Sequence, residues 1–148
     1  MTDRRTSRVR WTLLLVLWLC VVWGHSLMPA DLSSDESSRF LWLVRPFFEA
    51  LGNTDEQLMT HVIRKAAHFC ENVVLMVIAT GLSWAWWGQT VGALAGRLAI
   101  WACVPAIDEL IQSFSPGRSP QVSDVLLDMC GGVVGMLVAW LWRRRARR

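Results

Sequence analysis

The chain has 148 residues, of which 53% are hydrophobic and only 18% charged, against the ~25% charged content of ordinary soluble domains. Ten Trp, no Tyr, a mean hydropathy of +0.34 and apolar runs close to a bilayer crossing exclude a disordered, collagen-like or highly charged chain and point to an integral membrane protein. The formal net charge of +3 comes from two short tails, Arg4, Arg5, Arg8 and Arg10 at one end and Arg143, Arg144, Arg145, Arg147 and Arg148 at the other. Beside apolar helices, such tails are cytoplasmic topology signals that also touch anionic membrane lipids, and they do not indicate nucleic-acid binding.

After the basic tail of residues 1–10, residues 11–30 hold an 18-residue apolar stretch. It reads as a first transmembrane helix rather than a signal peptide, because no small-x-small cleavage site follows. Residues 31–60 carry six acids against two bases, Arg39 and Arg45, and read as an outer loop. Within that loop, apolar clusters at residues 40–44 and at Phe47 and Phe48 are too short to span and read as a segment lying in the interface.

Thr54-Asp-Glu-Gln57 has capping-box spacing, so a helix is expected to start there with Thr54 as its cap. It leads into a second span over about residues 66–86. Residues 91–111 form a third span with Pro105 inside it, and residues 113–121, with two prolines and a glycine, a loop. Ser123 is positioned to cap a fourth span over residues 124–142, followed by the basic tail of residues 143–148. Cys20, Cys70, Cys103 and Cys130 fall in different apolar segments, so no disulfide is expected. The expected fold is an all-α integral membrane protein, four transmembrane helices in a small bundle, multi-pass in the bacterial cytoplasmic (inner) membrane with both termini cytoplasmic. Trp11, Trp84, Trp86, Trp87, Trp140 and Trp142 fall at the predicted inner helix ends, where tryptophan prefers to sit, while Trp18 and Trp101 are mid-span.

Charged groups within spans are rare and costly, so their depth is informative. Counting about 20 residues back from the inner Trp belt puts the outer end of the second span near Lys65 and that of the fourth near Gln121. At 1.5 Å per residue, His68 and Glu71 then lie roughly 4–9 Å inside the outer surface and Asp124 and Asp128 roughly 4–11 Å. Asp108 and Glu109 fall within about 5 Å of the outer end of the third span. His61, Lys65, His68 and Asn72 share one helical stripe, as do Asp108 and Gln112, and as do Asp124, Asp128, Gly131, Gly132 and Gly135. Gly131-x-x-x-Gly135 predicts a close helix approach, and Gly92-x-x-x-Gly96 a second, weaker one. One polar layer, open to the outside and shared by three helices, is the expectation.

Lys65-x-x-His68-Phe69-x-Glu71, then Asp108-Glu109-x-x-Gln112-x-Phe114-x-Pro116-Gly117-Arg118 and Asp124-Val125-x-x-Asp128-x-x-Gly131-x-x-x-Gly135, resemble the VanZ-like family of bacterial membrane proteins. The likeness covers about residues 65–135, and residues 61–142 read as a VanZ-like region with three of the spans. The chain departs from the usual pattern at Asn72, where the family has Tyr, and at Asp128, where it has Asn. The resemblance implies a small multi-span envelope protein, in a family whose namesake is associated with low-level resistance to the glycopeptide teicoplanin, and supplies no reaction.

Three readings of the polar residues stay open. One is an outward-facing site for an anionic or phosphorylated lipid-linked ligand such as a cell-wall precursor, formed by Lys65, His68, Glu71, Asp108, Glu109, Gln112, Arg118, Asp124 and Asp128. In it, Asp108, Glu109, Asp124 and Asp128 are hard donors for a divalent cation, Arg118 and Lys65 reach for phosphate, and His68 or Glu71 is a general base if a bond is broken. A second is a small proton-coupled exporter dimer with Glu71 or Asp128 as proton carrier. The third is a structural ion-pair network in which Lys65, His68 and Arg118 partly neutralise the acids. His25 and His61 read as interfacial side chains.

Overall fold

Long apolar runs in lipid must satisfy their backbone hydrogen bonds internally, which a helix does within one segment. The computed structural model describes residues 2–146 and 148, with side chains from Arg5 onward; the Arg4 side chain and Arg147, two of the tail charges, lie outside the described residues. The described residues form six helices and no strand: α1 (Thr2–Ser26), α2 (Ala30–Ser38), α3 (Leu41–Ala50), α4 (Glu56–Trp87), α5 (Val91–Gln112) and α6 (Val122–Ala146). Four of them, α1, α4, α5 and α6, are long and apolar enough to cross a membrane.

The core is thin, and much of the apolar surface faces outward. Val22, Met59, Leu75, Met76, Ala79, Ala93 and Ala139 are buried, whereas Leu13, Leu17, Leu98, Leu126 and Leu137 are exposed on the spanning helices. That arrangement is stable where lipid covers the outer face, since lipid tails are as apolar as leucine. All four cysteines are free and exposed, each on its own helix.

Helix α4 is the hub and touches each of the other five helices. Its 32 residues extend about 48 Å at 1.5 Å per residue, well beyond the ~30 Å hydrocarbon thickness. Its first turns therefore have length enough to stand clear of the apolar layer. The closest packing is against α6. A Cβ on Gly131 would lie 2.4 Å from the Phe69 carbonyl oxygen, and one on Gly135 would lie 2.2 Å from that of Val73. Only glycine lets the two backbones approach so closely. The expected second pair is no such seam, because Gly92 and Gly96 meet nothing nearer than 3.8 Å.

Two local readings, both of helix caps, are corrected, and the segment before α4 gains detail. The cap of α4 is Asp55, whose side chain accepts from the Gln57 and Leu58 N–H groups, and Thr54 does not fill that role. Ser123 lies inside the first turn of α6, which begins at Val122. The start of the outer loop is a helix, α2, entered through Pro29, with Ser34 and Ser37 hydroxyls donating to the carbonyls of Ala30 and Ser33. The interfacial segment is itself helical: α3 buries none of its residues and points Trp42, Leu43 and Phe47 outward.

The two mid-span tryptophans tie helices together. Trp18 Nε1 donates to the Glu71 carbonyl at 3.0 Å, and Trp101 Nε1 to the Met129 carbonyl at 2.8 Å. The remaining belt tryptophans gather at one end of the bundle with the arginines of the tails. Arg8 donates to the Ala85 carbonyl and lies 5.1 Å from the Trp86 ring. Arg143 and Arg144 stand 4.2 and 5.2 Å from the Trp84 and Trp140 rings, and Trp11 fills the space over Gly81.

Candidate functional site

The polar side chains collect at the opposite end, where α1, α5 and the loop of residues 113–121 meet the first half of α4. The loop is tied down first. Ser115 donates to the Ser26 carbonyl at 2.7 Å, Ala30 N–H to the Pro116 carbonyl at 3.0 Å, and the Gln121 N–H to Glu109 Oε1. Gly117 takes a left-handed φ of +75°, the conformation that turns the chain just ahead of Arg118. Arg118 is thereby brought over the end of α1, where its Nη2 donates to the His25 carbonyl at 3.2 Å.

Below the loop lies a layer of acids. Asp108 is 1% exposed and Asp128 3%, with Glu71 at the edge at 9%. Asp108 is held from both sides: Ser26 Oγ donates to Oδ1 at 2.5 Å and Gln112 Nε2 to Oδ2 at 3.0 Å. His68 Nδ1 stands between two of these acids, 3.8 Å from Asp108 Oδ2 and 4.0 Å from Glu71 Oε2. His25 Nδ1 reaches Glu71 Oε1 at 2.5 Å. Asp128 Oδ1 and Glu71 Oε2 are buried with no hydrogen-bond partner among the described residues.

Cations and acids together line the space beside this cluster: Arg64, Lys65 and Arg118 with Glu36, Glu71 and Asp124. Two cavities, about 150 Å³ and about 230 Å³, flank His68, and Arg64, His68 and Arg118 line both. The larger adds His61, Lys65 and Asp124, of which Lys65 and Asp124 pair with each other. Arg64 Nη2 lies 3.2 Å from His61 Nδ1. Among the described residues neither Arg64 nor Arg118 has a carboxylate within 4.0 Å. Burial pushes the Arg118 guanidinium below its usual range, and the neighbouring positive charge of Arg64 pushes it further; it remains a cation.

All nine residues singled out from the sequence stand at this end, and the structure divides them. His68, Asp108 and Asp128 bring ligand atoms within 4.8 Å of one another, with Glu71 alongside. Glu109 is occupied by the loop backbone, and Asp124 by Lys65, so two of the four expected cation donors are engaged elsewhere. Gln112 orients Asp108.

Arg64, His25 and Ser26 are additions. Arg64 is three residues after His61 and four before His68, so the stripe that picked out its neighbours also carried it. His25, read as interfacial, is still 47% exposed at its side chain but touches Glu71. Its 46-residue separation from Glu71 left no local signal.

The fold and its polar end define a class: a small all-helical membrane protein with a buried cluster of acids beside cavities that two arginines line. The VanZ/LLP1 family matches residues 11–143, most of the chain, and the chain belongs to that family. The match takes in α1 from Trp11 onward and the α2–α3 segment, beyond the motifs of residues 65–135. No curated protein and no solved structure matches it.

Proposed function

We propose that this VanZ-family protein lies in the bacterial cytoplasmic membrane with both termini cytoplasmic and binds, at its outer face, the phosphate of a lipid-linked cell-wall precursor, and that this binding underlies glycopeptide tolerance of the teicoplanin type. The observation that carries the reading is the pair Arg64 and Arg118. Both line the same cavities and, although Glu36, Glu71 and Asp124 line them too, neither has a carboxylate within 4.0 Å among the described residues. Guanidinium forks match phosphate oxygens in geometry and charge, and a half-buried fork without an acid partner favours an anionic ligand. Lys65 adds a third cation at the larger cavity, steadied by Asp124.

The orientation rests on charge and aromatic placement. Basic tails and six tryptophans share one end, the α2–α3 segment with most of the remaining acids lies at the other, and positively charged flanks stay cytoplasmic. The apolar outer face of α3 supplies a surface on which a lipid tail can rest beside the cavity.

The test is the teicoplanin sensitivity of a host expressing wild type, Arg64→Ala or Arg118→Ala, with membrane levels compared by blot. Wild type protects, and each variant loses protection at wild-type abundance. Protection by both variants equal to wild type would remove the site assignment.

A further inference from the structure

We propose that His68, Asp108 and Asp128 bind a single divalent transition-metal ion, one ligand from each of α4, α5 and α6. The three ligand atoms already lie within 4.8 Å of one another. Ligands held by one ion at about 2.0–2.2 Å stand about 3–4 Å apart, so closing the site takes only small side-chain shifts.

Two observations besides proximity point to an ion. First, Asp128 is 3% exposed, and its Oδ1 is buried with no hydrogen-bond partner among the described residues. Buried carboxylate oxygens in native proteins are paired, hydrogen-bonded or bound to metal. Second, Asp108 is oriented as a metal ligand would be, with Ser26 and Gln112 each donating to one of its oxygens. Such outer donors fix ligand geometry and tune affinity.

Charge favours the same conclusion. Glu71, Asp108 and Asp128 share one buried layer, and among the described residues no Lys or Arg lies within 4.0 Å of any of them. An imidazole nitrogen with two carboxylates suits zinc, manganese or ferrous iron better than magnesium or calcium, which prefer oxygen-only sites. His68 lines both cavities, so the ion has a route from the outer surface. The inference does not depend on the lipid ligand, because its readout is metal content.

The experiment uses the full chain purified in detergent, stripped with chelator, equilibrated with Zn²⁺ or Mn²⁺, desalted and analysed for metal, with thermal unfolding followed in parallel. Wild type is expected to retain one ion per chain and to unfold at a higher temperature with the ion than without it. Asp128→Asn and His68→Gln should each weaken retention at least tenfold, since even outer-sphere changes cost about 10–100-fold. Asp35→Asn, an exposed acid on α2, should match wild type. Asp128→Asn keeps the shape of the side chain, so a variant that folds, holds metal like wild type and gains the same thermal shift overturns the proposal. So does a wild type that retains neither ion.

Discussion

The two ends of this bundle use arginine in opposite ways. At the tryptophan end, Arg8, Arg143 and Arg144 stand over indole rings, and Arg8 also donates to a backbone carbonyl, so each cation is matched to a partner from its own chain. At the polar end, Arg64 lies against an imidazole and Arg118 donates to a carbonyl, and among the described residues neither has a carboxylate within 4.0 Å, although Glu36, Glu71 and Asp124 line the same cavities. The first arrangement anchors helices at an interface. The second holds positive charge in reserve at a cavity. The difference teaches that a basic count says little until each cation's partner is known.

The comparison can be broken most severely at the seam under the polar end. Gly135→Leu forces a side chain where even a Cβ would sit 2.2 Å from the Val73 carbonyl. It should cost at least about 1–3 kcal/mol as overpacking, seen as loss of membrane accumulation and of heat resistance in detergent. Gly96→Ala, whose Cβ would meet the Trp87 ring at 3.9 Å, an ordinary contact, should leave both nearly unchanged.

Next in size is the arginine pair at the cavities. Charge-assisted hydrogen bonds are each worth about 1.5–3 kcal/mol, so Arg118→Ala should weaken binding of a polyprenyl phosphate about 10–100-fold without lowering thermal stability by a comparable amount. Titration of the purified protein reads both.

Ser26→Ala removes a donor to a 1% exposed carboxylate. It should cost about 1–3 kcal/mol by leaving a buried acceptor short of a partner, measured by detergent-solubilised melting. The smallest effect belongs to the other end. Arg144→Ala loses one exposed cation–π contact, worth about 0.5–1 kcal/mol, and should leave teicoplanin sensitivity where wild type has it.

The spanning helices were legible because twenty-residue apolar runs have one structural solution in lipid, and the Gly131–Gly135 seam because small residues at i, i+4 permit close approach. The polar residues were legible as a group through depth and helical stripe, since both follow from rise and turn. Their partners were not. Which acid meets which base depends on how α1 and the 113–121 loop fold over the bundle, and His25 and Ser26 reach Glu71 and Asp108 across 46 and 82 positions. Helix α2 was hidden for a local reason. Its sequence is rich in Ser and Asp, which favour turns unless, as here, serine hydroxyls fold back onto the preceding helical turn. The aspartate that caps α4 stands one position after the threonine that capping-box spacing favours.

The central claim is that Arg64 and Arg118 form an anion site while the arginines of the other end do not. It is tested most directly by titrating a polyprenyl phosphate, with the unphosphorylated prenol as control, into the purified wild type, the Arg64→Ala/Arg118→Ala double variant and Arg144→Ala. The account predicts saturable binding of the phosphate form alone, lost in the double variant and retained in Arg144→Ala. Equal binding of phosphate and prenol, or a double variant that binds like wild type, would contradict it.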